Sequence, residues 1–235
     1  MSNSSSSTQR LFQAASALST VLRTQNISHA FHGGFLTVLL GSPKSSEELF
    51  CIVEGTGNTH PFRLVRHALS GNEVLTATLV GWSNRQVSFH PVGHKALFPF
   101  LFFISLVISL MELVHSWLNN VDIDRLYIKY HEPIPPIEFE VLPAGEEGPR
   151  NLNTSRIMQI HHIPFLNITE FARAKLRAWT SRGSQEDAEH LVYVLTRYWE
   201  RVDINRIPED DMDRFVSQWP TASSAWTAIK QRYGG

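Results

Sequence analysis

Residues 31–53, FHGGFLTVLLGSPKSSEELFCIV, place a double glycine between two apolar segments and add a third apolar segment after a polar linker. HAF before the glycines predicts a short strand, the run from Phe35 to Leu40 predicts a helix, and ELFCIVE predicts a β-prone strand. A Gly-Gly turn lets the backbone approach a bound group closely, because glycine has no Cβ. Along a strand, residues i and i+2 share a face, so Glu48 and Phe50 are expected to point to the same side. The stretch therefore predicts a strand–turn–helix–strand unit with a ligand site at the turn.

The remaining pattern gives strands first and helices afterwards. Residues 8–26 have apolar spacings typical of a helix, DRLYIKYHE and IEFEVLPAG alternate as half-buried strands, and the pattern is helical from Asn167 onward. This order predicts an α+β fold. The expected organisation is a disordered Ser-rich start over 1–10, a sheet region over 11–150 with an atypical apolar insert over 80–120, and a helical C-terminal region over 151–235.

Composition excludes several classes of protein. The chain has 235 residues and a formal net charge of −1, with acidic and basic residues interspersed, so its overall charge does not favour nucleic-acid binding, which usually needs a basic face. A single cysteine, Cys51, excludes an internal disulfide and fits a reducing compartment. The polar start MSNSSSSTQR has no apolar core of a signal peptide. We expect a cytoplasmic protein with no nucleic-acid partner.

Residues 96–111, ALFPFLFFISLVISLM, carry no charge. A membrane span needs about 20 apolar residues, and Pro99 would interrupt a helix here. Three interpretations stay open: a buried helix, a membrane attachment, and a gene-model artefact in which an intron end is translated. The first is preferred on length, so no membrane partner is expected.

Together these elements resemble the nucleotidyltransferase-fold superfamily, the polymerase-beta-like group, and the likeness is strongest to its small fungal members. The family pattern is an apolar residue, Gly, then Gly or Ser, a spacer, and Asp–apolar–Asp/Glu–apolar. In this chain Gly33-Gly34 is followed by 13 residues and then by Glu48-Leu49-Phe50-Cys51. The resemblance implies a mixed sheet flanked by helices and followed by a helical C-terminal part.

The resemblance also implies where the family's third carboxylate lies. Glu140 of IEFEVLPAG occupies that place, and Glu138 is two residues earlier on the same face. Nucleotidyl transfer uses divalent metal ions held by converging carboxylates. Phe50 offers no ligand atom where the family has its second carboxylate. We therefore predict degenerate catalytic carboxylates, with no metal and no cofactor, and Mg²⁺ only if the chain is an active nucleotidyltransferase.

Three functions from different classes remain open. The preferred one is a repurposed, metal-independent enzyme for an apolar small molecule, a cyclase or isomerase such as a Diels–Alder catalyst in fungal secondary metabolism. Its proposed catalytic residues are Glu48, Glu140 and Glu138. The alternatives are an active metal-dependent nucleotidyltransferase and a non-catalytic pseudoenzyme that only binds. The predicted substrate-binding residues are Gly33, Gly34, Ser42, Phe50 and Lys175.

Other motifs give weaker signals. Asp122-Ile123-Asp124 is an Asp-x-Asp, but it lies far beyond the expected spacing from the double glycine and is interpreted as a turn boundary. The pair His90 and His94 and the pair His161-His162 lack nearby cysteines or a His-Glu-x-x-His pattern, so surface histidines are preferred over a metal site. Cys51 is expected to point into the core.

Overall fold

The computed structural model describes residues 3–80, 125–146 and 148–234. Its helices are α1 (Asn3–Thr24), α2 (Gly34–Leu39), α3 (Pro61–Ala68), α4 (Ile168–Arg182), α5 (Gln185–Tyr198), α6 (Glu209–Gln218) and α7 (Ser223–Arg232). Its strands are β1 (His29–His32), β2 (Phe50–Val53), β3 (Leu75–Val80), β4 (Arg125–Tyr130), β5 (Ile137–Pro143), β6 (Ile157–Ile160) and β7 (Ile163–Leu166).

The strands form one mixed seven-stranded sheet in the order β3-β4-β5-β2-β1-β7-β6. β1 lies antiparallel to β2 and parallel to β7, and β2 lies parallel to β5. The outer pairs β4–β5 and β6–β7 are antiparallel. Helices flank the sheet, so the α+β class and the mixed sheet predicted from the sequence are confirmed.

The core lies between the sheet and its helices. Large aromatic side chains fill it and are fully buried: Phe31, Phe35, Phe165, Phe171 and Phe215. Cys51 is fully buried as well, which confirms its predicted direction. Burial alone raises the pKa of the Cys51 thiol, because the charged thiolate would lose its hydration.

Local sequence signals start and end the helices near the site. Asn167 accepts a hydrogen bond from the Glu170 N–H and so caps the start of α4. Gly183 ends α4 in the left-handed conformation, with φ 66°, and donates its N–H to the Trp179 carbonyl. Ser184 then caps α5 by accepting from the Asp187 N–H. The tight connection packs α4 against α5.

The N-terminal segment differs from the prediction. Residues 1–10 were expected to be disordered, but α1 begins at Asn3. The Ser7 hydroxyl donates to Glu47 at 2.7 Å, and Arg10 donates to the Pro135 carbonyl. These contacts tie the Ser-rich turns to the rest of the chain, so the helix extends beyond its amphipathic part.

The C-terminal region also differs. Residues 151–235 were expected to be helical, but they contain β6 and β7, and only the part after Asn167 is helical. The hairpin turn is His161-His162, with φ values of 48° and 67°, the positive pair that a two-residue hairpin turn requires. Two-residue hairpin turns usually contain Asn-Gly or Asp-Gly, so a His-His pair did not indicate a hairpin.

The predicted boundary at residue 150 does not divide the structure. Met1–Thr78 and Leu126–Gly235 form one compact unit. Most of the predicted apolar insert over 80–120 lies outside the described residues, as do residues 96–111. Among the described helices, none has the length and apolar content to cross a membrane.

Candidate functional site

The Gly-Gly turn is closed by Glu48. The Gly34 N–H donates to Glu48 Oε2 at 2.8 Å, and the Phe35 N–H donates to the Glu48 carbonyl at 3.0 Å. Gly33 has φ 114°, and a Cβ on it would lie 2.4 Å from the Glu48 carbonyl oxygen. Both glycines are therefore packed against the segment before β2, and two backbone donors of the turn already have partners within the chain.

A buried lysine holds the Glu48 carboxylate. The Lys175 side chain, on α4, is 4% exposed, and its Nζ lies 2.6 Å from Glu48 Oε2 and 2.7 Å from Asp187 Oδ1. Burial would raise the pKa of Asp187, but the charge and hydrogen bond of Lys175, with help from Ser184, lower it overall. Each buried charge thus has an opposite partner, which is the condition for a stable buried ion pair.

A neutral histidine lies against Phe50. The His32 and Phe50 ring centroids are 5.1 Å apart, with 32° between the ring planes. His32 is 2% exposed, and within the described part of the chain neither of its ring nitrogens has a hydrogen-bond partner. Burial, and secondarily the charge of Lys175, lower the pKa of His32 to about 3. The imidazole is therefore uncharged at neutral pH and packs as a flat ring.

Glu140 lies beside Phe50. The two residues are register partners in the parallel pair β2–β5. Glu138 lies on β5, two residues before Glu140. It is exposed, and its register partner on β4 is Lys129. Glu48 precedes the first residue of β2, so strand alternation does not set its direction, and its carboxylate turns to the Gly-Gly turn instead.

Ser42 lies at a different place from Glu48. It lines a cavity of about 600 Å³, which neither Glu48, Phe50 nor Glu140 lines. The cavity wall is mostly apolar and includes Phe12, Val38 and Leu39. Near Glu48 the serine is Ser46, whose Oγ accepts from the Glu48 N–H at 3.3 Å. The predicted role of Ser42 in substrate binding stays a prediction.

Sequence reasoning missed three residues of α5 that lie near Glu48 or share its lysine. Asp187 completes the lysine network, and Glu186 and His190 approach Glu48 closely enough that one ligand atom from each lies within 4.8 Å of the others. In the part of the chain that the structure describes, this is the only such group of possible metal ligands. Glu186 and His190 are four residues apart on a helix, a spacing that places both on one face and could have identified them.

The other sequence candidates lie elsewhere. His161 and His162 are exposed at the β6–β7 turn, as expected for surface histidines. His90, His94 and the Asp122–Asp124 motif fall outside the described residues.

The fold has counterparts among solved structures. An antigenic nucleotidyltransferase-like protein from Paracoccidioides brasiliensis matches with a TM-score of 0.55 and 15% identity, over 94% of this chain and 93% of that chain. JHP933 from Helicobacter pylori matches with a TM-score of 0.50 and 12% identity, over 97% of this chain and 81% of that chain. No protein-family model matches the sequence, and no curated protein matches it. At these identities the likeness establishes the fold.

Proposed function

We propose that this chain, which has the nucleotidyltransferase-like fold, does not transfer nucleotides but acts on an uncharged small molecule by metal-independent cyclase or isomerase chemistry. The observation that carries the proposal is the double engagement of Glu48 Oε2, which accepts from the Gly34 N–H and from Lys175. The protein's own carboxylate thus occupies the anion position at the Gly-Gly turn.

Among the described residues, this site has too few carboxylates for nucleotidyl transfer. Two-metal transfer needs several carboxylate oxygens that converge on the ions and on the triphosphate. Phe50 supplies no ligand atom, and its ring contacts the uncharged His32. The Gly34 N–H, which could otherwise face a phosphate, already donates to Glu48. To bind, a triphosphate would have to displace the ion pair of Glu48 with Lys175. Its metal ions would also have one carboxylate ligand fewer, because Phe50 stands in place of that ligand.

The neighbouring side chains of Phe50 and Glu140 suit small-molecule chemistry. An apolar ring beside a carboxylate can hold an uncharged substrate and exchange a proton with it. Holding one reactive conformer can by itself lower a barrier by several kcal/mol, about 7–11 in the most favourable cases. A cyclisation of the Diels–Alder type needs only such positioning. In this scheme Glu48, fixed by Lys175, holds the Gly-Gly turn in place, and Glu140 moves the proton where one is transferred.

A non-catalytic binding module is the second candidate, and a separate observation favours it. The apolar cavity of about 600 Å³ has a volume typical of small-molecule sites, but its wall contains none of the proposed catalytic carboxylates. A ligand held there between α1 and the 41–46 loop would be bound without reaching Glu140.

Calorimetric titration with Mg²⁺ and ATP, GTP, CTP or UTP tests the first half of the proposal. We expect no binding at millimolar nucleotide by the wild type. The Phe50→Asp variant is also expected to bind no nucleotide, because Glu48 still closes the turn. Mg²⁺-dependent binding by the wild type would restore nucleotidyl transfer and make Glu138 the missing ligand.

A thermal-shift screen of apolar metabolites, followed by a product assay, tests the second half. For a metabolite that binds, Glu140→Gln should abolish conversion and retain binding, whereas Glu146→Gln, an exposed control near the end of β5, should change neither. Binding that never leads to conversion, unaffected by Glu140→Gln, would establish the binding module instead.

A further inference from the structure

We propose that Glu48, Glu186 and His190 bind one divalent transition-metal ion, of the class that includes Zn²⁺ and Co²⁺. The site ties α5 to the segment before β2. The inference goes beyond the proposed function and does not depend on it, because no step of the proposed reaction uses this ion.

The first observation is the geometry of the three side chains. One ligand atom from each lies within 4.8 Å of the other two. Ligand atoms around one zinc ion, at about 2.1 Å from the metal, lie about 3.4 Å apart. Closing the group to that spacing needs a movement of about an ångström, which Glu186 can make because it is exposed. The contacts of Glu48 with Lys175 and Gly34 both use Oε2, which leaves Oε1 for the ion.

The second observation is the state of His190. It is 6% exposed, and its Nδ1 has no hydrogen-bond partner among the described residues. The ring nitrogen nearer the Gly-Gly turn is Nε2, which would lie 2.7 Å from a Cβ on Gly34, and the Gly34 N–H donates to Glu48. A buried imidazole therefore lies beside the Glu48 carboxylate, and imidazole nitrogen is a common ligand of Zn²⁺ and Co²⁺.

The donor set selects the class of metal. One imidazole with two carboxylates suits Zn²⁺, Co²⁺ and their neighbours, whereas Mg²⁺ prefers an octahedron of oxygen atoms. This distinguishes the group from the all-carboxylate arrangement that the fold resemblance implied for Glu48 and Glu140. The three residues leave room for a water molecule as a fourth ligand.

Cobalt titration of the chelator-treated full-length protein tests the proposal directly. Co²⁺ bound by nitrogen and oxygen ligands in a four-coordinate site absorbs visible light strongly, and Zn²⁺ should displace it. We expect one ion per chain. Glu186→Gln and His190→Gln should each weaken binding about tenfold or more. Glu189→Gln, on the same helix but paired with Lys44, should change it less than about twofold.

Thermal unfolding gives a second readout that does not rely on colour. At one fixed Zn²⁺ concentration, Tm should rise equally in the wild type and in Glu189→Gln and clearly less in Glu186→Gln, since an ion that binds only the folded state stabilises it according to its affinity. Glu186 is exposed, so this variant keeps the test decisive even if His190→Gln folds poorly. The proposal is wrong if no stoichiometric ion binds, if Glu189→Gln and Glu186→Gln lose binding equally, or if binding disappears in His161→Ala, a surface-histidine control.

Discussion

Lys175 Nζ lies 2.6 Å from Glu48 Oε2, although 127 residues separate the two along the chain. The same ammonium lies 2.7 Å from Asp187 Oδ1. One lysine therefore contacts two carboxylates at the junction of α4, α5 and the Gly-Gly turn, and Arg182, 3.3 Å from Asp187, supplies the second positive charge. A charge in such a network costs little while it is paired and a great deal once its partner is removed.

Replacement of Lys175 by methionine should lower the free energy of unfolding by about 3–5 kcal/mol, because Glu48 would lose its lysine partner and Asp187 would keep only the exposed Arg182. Urea unfolding at pH 7 measures this. Arg177→Met is the matched control: Arg177 lies on the same helix but is exposed, so its loss should cost less than about 1 kcal/mol. Equal effects of the two variants would show that the network adds no stability.

His32 predicts a specific pH dependence of stability. Its pKa is about 3 in the folded protein and near the ordinary value of 6.5 in the unfolded chain, so the unfolded state binds the additional proton. Its contribution is complete above pH 6.5 and is lost as the pH falls toward 3. Between pH 6 and 4 the wild type should lose about 1.4 kcal/mol per pH unit more than His32→Phe. Urea unfolding across this range measures both slopes, and parallel curves would contradict the prediction.

Gly34 is predicted to tolerate no side chain. A Cβ there would lie 2.1 Å from Ser46 Oγ and 2.4 Å from His190 Cε1. Gly34→Ala should therefore destabilise the protein by about 1–3 kcal/mol, as overpacking does elsewhere. Adding Ser46→Ala removes the nearer contact and should recover part of the loss in the same denaturant measurement. Full stability of Gly34→Ala would mean that the turn is open.

Gly183 offers a test of the α4–α5 connection that depends on the backbone alone. Its φ is 66°, and no atom lies within 4 Å of the place where a Cβ would be. Gly183→Ala should cost about 1–2 kcal/mol for the left-handed conformation. Gly183→Asn should cost less, since asparagine adopts this conformation more readily. If both variants unfold at the same denaturant concentration as the wild type, the prediction fails.

The elements that the sequence predicted are those with a long, regular pattern. Alternation located β4 and β5, and apolar spacing located α1 and α4. The β6–β7 hairpin was missed because its strands have four residues each and turn through two histidines. In such short strands, pairing with β1 decides the structure, and a single-chain pattern does not contain that partner.

Only part of the site was predicted, because its other residues are brought in by a contact between distant segments. The family resemblance brought Gly34, Glu48 and Lys175 into consideration, and the structure brings these three together. Asp187 reaches Lys175, and His190 comes close to Glu48, only because α5 folds back on α4 at Gly183. Their chemistry was visible in the sequence, but the turn that brings them to Glu48 was not.

The parallel pairing of β1 with β7 joins Phe31 to Phe165, two residues that lie far apart in the sequence. A nascent chain cannot complete the middle of its sheet until Leu166 has left the ribosome. During that interval the edge of β1 that later pairs with β7 has no partner strand, and long-range pairing of this kind folds slowly. Synthesis of this protein should therefore depend on chaperones that shield the first half until the second arrives.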